Sequence, residues 1–192
     1  MPDPNKAVLE FLQTRRSRPA KLLQPPVPDR DALLPILKAA ARSPDHGKLE
    51  PWRFIVLEKA ALSRLAQSVD DFGSASGRAE EDIAKARKQF EDSSLCVAVI
   101  EVQKSSEKIP AIEQTYSAGA VCLALLNAAL ASGWGANWLS GWPSHDAEFC
   151  QSTLGLASNE RVAGFIHIGT ATTTPPERPR PDIDAITTWV DA

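Results

Sequence analysis

The stretch "PAIEQTYSAGAVCLALLNAALASG" (110–133) constrains the fold of this chain more than any other. Glu113 is its only charged residue, and its apolar side chains recur on most sides rather than along one stripe. A helix with that pattern belongs at the centre of a fold, with other elements packed around it. "LCVAVIEV" (95–102) is apolar nearly throughout, which predicts a central strand covered on both faces. A chain of 192 residues is long enough to enclose these two segments in one domain. The longest uninterrupted apolar run, "AGAVCLALL" (118–126), is too short to cross a bilayer.

The remaining elements are weaker. Asp3-Pro4 reads as a helix start, with Val8, Phe11 and Leu12 on its apolar face. "DALLPILKAAARS" predicts a second helix, capped by Asp31 so that Pro35 falls near the first turn, and ending near Ser43 before Pro44. "WRFIVLE" (52–58), "ANWLSGW" (136–142) and "VAGFIHIGT" (162–170) read as strands, and "KAALSRLAQSV" and "DAEFCQSTLG" as helices. The small residues of "FGSASGR" (72–78) predict a break before "AEEDIAKARKQFED" (79–92). That second segment shows little apolar face beyond Ile83, Ala86 and Phe90, so it is expected to pack weakly, as a mobile flap over the body. Helices and strands do not alternate strictly, which places the chain in the α+β class.

Composition narrows the function. A formal net charge of −3 disfavours nucleic acid or an anionic membrane as the main partner. Cys96, Cys122 and Cys150 form no CxxC pair, and an odd number of scattered cysteines without a secretory signal fits a reducing cytoplasm. No HExxH or Cys/His spacing supports a metal, no GxSxG elbow supports a hydrolase, and neither GxGxxG nor GxxxxGK is present.

Four stretches carry polar chemistry. Arg15, Arg16 and Ser17 end the first helix, where two guanidinium groups and a hydroxyl can grip a phosphate, or where cations simply complement the helix dipole. "ARSPDHGKLEPWRF" (41–54) crowds Arg42, Asp45, His46, Lys48 and Glu50 into one loop, which is either a site or a turn after Pro44. Trp138, Leu139, Ser140 and Gly141 close a strand, either as a flat ring contact or as core packing. "PPERPRP" (175–181) sets Arg178 and Arg180 in a polyproline-like segment.

Together and in this order, these motifs resemble the FMN-dependent nitroreductase family, in its short single-domain NAD(P)H nitroreductase branch. The resemblance is carried by "RRS", "ARSPDHGKLEPWRF", the helix running into "AALASGWGANWLSGW", and "VAGFIHIGT". It implies a mixed or antiparallel sheet flanked by helices, in an intertwined homodimer with FMN at the subunit interface. Arg15, Arg16 and Ser17 would hold the FMN phosphate and ribityl end. Arg42 and His46 would reach the flavin from the other subunit, and Trp138, Leu139, Ser140 and Gly141 would line the ring near N5. Arg178 and Arg180 fall where relatives place a basic phosphate contact, and Ala128, Ala129, Leu130, Ala131, Ser132 and Gly133 where a nicotinamide nucleotide is assigned.

The resemblance further implies electron transfer from NADH or NADPH to a small acceptor, such as a nitroaromatic or quinone, by a ping-pong cycle. The flavin carries the hydride chemistry, so no side chain need act as nucleophile. The alternatives on the same fold are an FMN storage module, reductive dehalogenation and flavin fragmentation, with 72–92 expected to contribute a substrate lid. Lys48 and Glu50 stand where many relatives have asparagine and glutamine. Lys48, or an arginine of the first motif, can supply a cation near flavin N1. Glu50 would oppose reduction unless paired with Lys48 or Arg53.

Overall fold

The computed structural model describes residues 3–191. Helix α1 (Lys6–Thr14) is capped by Asn5, two residues after the expected Asp3 cap, because Asn5 Oδ1 accepts the Val8 N–H at 3.2 Å. Strand β1 (Leu23–Gln24) and helix α2 (Arg30–Ala40) follow. Asp29 caps α2, accepting from the Ala32 N–H at 2.9 Å; the cap is not Asp31. Pro35 therefore lies inside the helix rather than in its first turn, and leaves the Asp31 carbonyl without its usual helical donor. Next come β2 (Trp52–Glu58), α3 (Lys59–Ala75), α4 (Glu80–Glu91) and β3 (Leu95–Val102). The chain continues through α5 (Ala111–Ala131), β4 (Gly135–Leu139), α6 (Trp142–His145), α7 (Ala147–Leu154), β5 (Glu160–Ala171) and the short α8 (Ile183–Ile186).

The five strands form one sheet in which every pairing is antiparallel. Strand β5 is its hub. It pairs with β3 from Cys96↔His167 to Val102↔Glu160, with β4 from Gly135↔Gly169 to Leu139↔Phe165, and with β1 at Leu23↔Ala171. Alternation along β3 sends Cys96, Ala98 and Ile100 into one core with residues of α3, α4 and α7. Leu95, Val97 and Val99 enter the other core, with residues of α2 and α5. The central strand is thus covered on both faces, as its composition predicts.

Two elements depart from expectation. Helix α4 is not a flap: Ile83, Ala86 and Phe90 are buried in the first core, and Phe90 meets Phe165 edge-on at 5.1 Å. Three apolar residues at i, i+3 and i+7 suffice because all lie on the side that meets α3 and the sheet. The expected break before it is also shorter, since α3 continues through Phe72 to Ala75. Helix α5 turns Ala118, Val121, Cys122, Leu125, Leu126 and Ala129 onto the sheet but leaves Ile112, Tyr116 and Leu123 exposed on the opposite side. At 21 residues it has the length and hydropathy of a membrane-crossing helix, a measure the shorter uninterrupted run missed, yet its buried side is a core face of the sheet.

His167 is buried in β5 with its Nδ1 2.9 Å from Ser93 Oγ. Ser93 Oγ donates to the Leu95 carbonyl at 3.2 Å and so accepts from His167 Nδ1–H, which leaves Nε2 unprotonated, 4.0 Å from Cys96 Sγ. Burial lowers the His167 pKa from 6.5 to about 4. Between those two values the unfolded chain holds a proton that the folded chain lacks. Stability is therefore full above pH 6.5 and falls as the pH drops towards 4, by about 3 kcal/mol in all. Urea unfolding at pH 7.5 and pH 4.5 should show that loss, and His167→Gln should remove most of the difference.

Candidate functional site

The structure gathers the predicted residues into two constellations. The first begins where α1 ends. The Arg15 N–H closes the helix on the Phe11 carbonyl at 2.8 Å, and Arg15 Nη2 donates to Ser17 Oγ at 3.1 Å. Next to Ser17, the Arg18 N–H donates to the Ala136 carbonyl at 2.8 Å, tying this segment to β4. The chain after β5 arrives from the other side: Arg16 Nη1 donates to the Pro176 carbonyl, and Glu177 sits 3.6 Å from Arg16 and 2.9 Å from Arg180.

Arg15, Arg16 and Arg180 thereby converge although Arg180 lies near the other end of the sequence. The convergence registers on Arg15, whose pKa is lowered by burial first and then by repulsion from Arg180 and Arg16. Glu177, largely exposed, is the single carboxylate among these contacts. Arg15 Nε and Arg18 Nη1 are buried without a hydrogen-bond partner among the described residues. A cluster of cations with surplus donors and one rim carboxylate is short of an anion. Arg178 does not join it; its side chain makes no hydrogen bond or ion pair among the described residues.

The end of β4 borders this cradle. Trp138 pairs in register with Ile166, and its indole lies over Gly164. A Cβ at position 164 would come within 2.0 Å of Trp138 Nε1, so glycine there is what lets the ring lie flat on the sheet. The N–H groups of Ser140 and Gly141 meet no acceptor among the described residues. Of the stretch 128–133 at the end of α5, Ala129 is fully buried, whereas Ala131, Ser132 and Gly133 are exposed.

The second constellation is the 42–50 loop, which docks on α5. Ser117 Oγ donates to the Pro44 carbonyl at 2.6 Å, and His46 Nδ1 lies 2.7 Å from Glu113 Oε2. Asp45 Oδ2 accepts the Glu50 N–H at 2.6 Å and closes the loop. Three residues take left-handed backbone: Gly47 at φ 70°, Lys48 at 55° and Glu50 at 47°. The two that are not glycine store backbone strain of roughly 1–2 kcal/mol each. Gly47 has a second constraint, since a Cβ there would stand 2.5 Å from Ile109 Cδ1.

Neither expected partner of Glu50 is available. Arg53 makes a two-pronged pair with Glu160, at 2.6 and 2.7 Å, which raises its own pKa and lowers that of Glu160. Lys48 and Glu50 form no ion pair among the described residues, and Arg42 likewise makes none. A shallow cavity of about 320 Å³ opens beside His46, Glu113 and Tyr116. No hydrogen bond or ion pair among the described residues joins this loop to the arginine cradle within one chain.

Sequence reasoning missed Arg18, Glu113 and Asn127. Arg18 continues the "RRS" run and was legible; Glu113 becomes relevant only once His46 meets it. Asn127 Oδ1, on α5, is buried without a partner. A cavity of about 820 Å³ lies at neither constellation but beside Gln103, Thr115 and Arg161. Next to it, Glu101 is 1 % exposed and pairs with Arg161. Burial alone would raise the Glu101 pKa, but hydrogen bonds from Arg161, Thr115 and Gln103 outweigh it and hold the carboxyl below its usual range. Among the described residues no group of three or more His, Cys, Asp or Glu is arranged to hold a metal ion.

Comparison with known proteins identifies the arrangement. The model of the Nitroreductase family matches residues 12–170. A protein of Escherichia coli (strain K12) named "Putative NAD(P)H nitroreductase YdjA" is 33% identical over 162 residues, covering 84% of this chain and 87% of its own. The crystal structure of a nitroreductase-like family protein from Bacillus cereus superposes with a TM-score of 0.80 at 20% identity, over 100% of both chains. A mutant of the FMN- and NADPH-dependent nitroreductase NfnB, from Sphigopyxis sp. strain HMH, superposes with a TM-score of 0.71 at 18% identity, over 94% of this chain and 97% of that one. With its α+β sheet and the extent of these matches, the chain belongs to the nitroreductase family.

Proposed function

We propose that the protein is a cytoplasmic, single-domain, FMN-dependent NAD(P)H oxidoreductase that acts as a homodimer on a small acceptor such as a nitroaromatic or quinone. The observation that carries this reading is the convergence of Arg15, Arg16 and Arg180, with the Arg15 Nε and Arg18 Nη1 donors left unpartnered. Those groups suit the dianionic phosphate of FMN, with Ser17 beside them. Bound FMN would supply hydride and electron transfer between a nicotinamide nucleotide and the acceptor. In this reading Trp138, Leu139, Ser140 and Gly141 border the ring and offer it the two free N–H groups. The exposed end of α5 at Ala131, Ser132 and Gly133 borders the nucleotide. Arg178, without a side-chain partner among the described residues, lies close to Arg180 of the phosphate cradle in sequence and is free to join it.

Arg42, His46 and Lys48 serve the flavin of the partner subunit, because no hydrogen bond or ion pair among the described residues links them to the cradle within one chain. The support for a dimer is the unpartnered side of α5, with Ile112, Tyr116 and Leu123 exposed, together with an α1 that buries none of its residues. Leu123→Glu should convert a dimer into monomers in sedimentation and weaken FMN binding at least tenfold, since half the flavin contacts would be lost. His46, fixed by Glu113, would present its remaining ring nitrogen to the flavin, and Lys48 would offset negative charge developing at N1.

A ping-pong cycle follows if the nucleotide and the acceptor occupy one open ring face in turn. Anaerobic addition of NADH, and separately of NADPH, to the FMN-loaded protein tests the reading. Rapid bleaching of the flavin band, reversed by a nitroaromatic or quinone, is expected. The absence of bleaching with either nucleotide would favour flavin storage instead, the alternative that an unpaired Glu50 suggests. Product analysis separates simple electron transfer from dehalogenation or flavin fragmentation.

A further inference from the structure

The turn after β4 backs onto a smaller cavity of about 260 Å³ between α4 and α6. Among the described residues seven side-chain nitrogen or oxygen atoms are buried without a hydrogen-bond partner. Three of the seven, Arg78 Nε, Gln89 Nε2 and Trp142 Nε1, belong to residues lining this one cavity, and all three are N–H donors.

These donors are held in place by the fold. Arg78 Nη2 is committed to Asp146 Oδ2 at 2.6 Å, and the guanidinium lies 4.4 Å from the centroid of the Trp142 ring. The ring itself is wedged between Phe72, at 6.1 Å, and Phe149, at 5.1 Å. Lys85 adds a cation to the lining that makes no ion pair among the described residues, while Asp82, exposed in the first turn of α4, is the only carboxylate there. Ala86 and Pro143 supply apolar wall. The lining therefore pairs surplus fixed donors with an apolar side, and its unmet need is for acceptors.

We propose that this cavity is a binding site for small molecules that carry a planar head of two acceptor oxygens, a carboxylate or a nitro group, on an apolar body. The site goes beyond the flavin reading and shares with it only the backbone turn at Ser140 and Gly141. Benzoate and nitrobenzene serve as probes and toluene as the control, with FMN-loaded protein and no nucleotide present. The readout is the Trp142 indole N–H signal in a proton–nitrogen correlation spectrum, assigned through its loss in Trp142→Phe.

Saturable shifts are expected with benzoate and nitrobenzene and none with toluene. Gln89→Leu should weaken both about tenfold, as expected for loss of one donor. Lys85→Met should weaken benzoate alone. The proposal is overturned if neither probe moves the signal, if toluene moves it equally, or if Gln89→Leu leaves both affinities unchanged. Repeating the titration without FMN should give the same affinities; binding seen only without FMN would place the probes in the flavin site and also overturn it. A protein that failed to bind FMN at all would end the proposed oxidoreductase reading while leaving this titration decisive.

Discussion

Arg15→Leu is expected to weaken FMN binding by about 100-fold, measured by quenching of flavin fluorescence. The magnitude is that of losing a charge-assisted hydrogen bond to phosphate, roughly 1.5–3 kcal/mol, in a partly buried setting. The same change should cost the fold little. Arg15 stands among Arg16 and Arg180, and its lowered pKa records that burial and repulsion work against its charge in the absence of an anion. Urea midpoints of wild type and variant should then nearly coincide without FMN and diverge with it, because only the wild type gains stability from saturating ligand. A residue that merely completed a helix terminus would give the reverse pattern: some loss of stability and no change in flavin affinity.

Phe90→Ala should destabilise the protein by about 3–5 kcal/mol, the range for truncating a buried aromatic side chain. Phe90 is fully buried and packs edge-on against Phe165 of the hub strand, so its removal opens a hole between α4 and the sheet. If α4 were a flap resting on the surface, the change would fall within about 0.5 kcal/mol. Equilibrium unfolding distinguishes the two directly. The result also bears on the cavity at Arg78 and Gln89, because α4 forms one wall of it. A firmly packed α4 keeps the unpartnered donors in the cavity wall; a loose one would let them find water.

The sequence was most informative where one residue type had one physical reason to be there. The run at 95–102 is apolar at every position but Glu101, which predicts a strand covered on both faces, and it is one. The 110–133 helix was visible as a core element for the same reason, but composition gave no hint that one apolar side would remain open. An interior contact and a subunit contact select the same side chains. Helix α4 was misread because three apolar residues among many charges look like a weak face until their alignment towards a single neighbour is known. Asp31 reads as the cap because that position brings Pro35 near the first turn, yet Asp29 is the cap and the helix tolerates the proline inside it.

The two constellations differed in legibility. "RRS" announced an anion site, but the role of Arg180 depended on how a proline-rich tail returns past β1, which no local pattern encodes. The 42–50 loop was legible as a site and not as a geometry. No local pattern marks its left-handed Lys48 and Glu50, and His46 docks on Glu113 of α5, 67 residues away along the chain. Arg53 was offered as a partner for Glu50 by proximity in sequence, whereas strand pairing across the sheet gave it to Glu160.

The most direct test of the central claim compares FMN with riboflavin in the same equilibrium titration of wild-type protein. The two ligands share the ring and the ribityl chain and differ only in the phosphate. If the Arg15, Arg16 and Arg180 cradle seats that phosphate, FMN should bind at least 100-fold more tightly, with a difference that shrinks as salt is raised. Equal affinities for FMN and riboflavin at low salt would contradict the account.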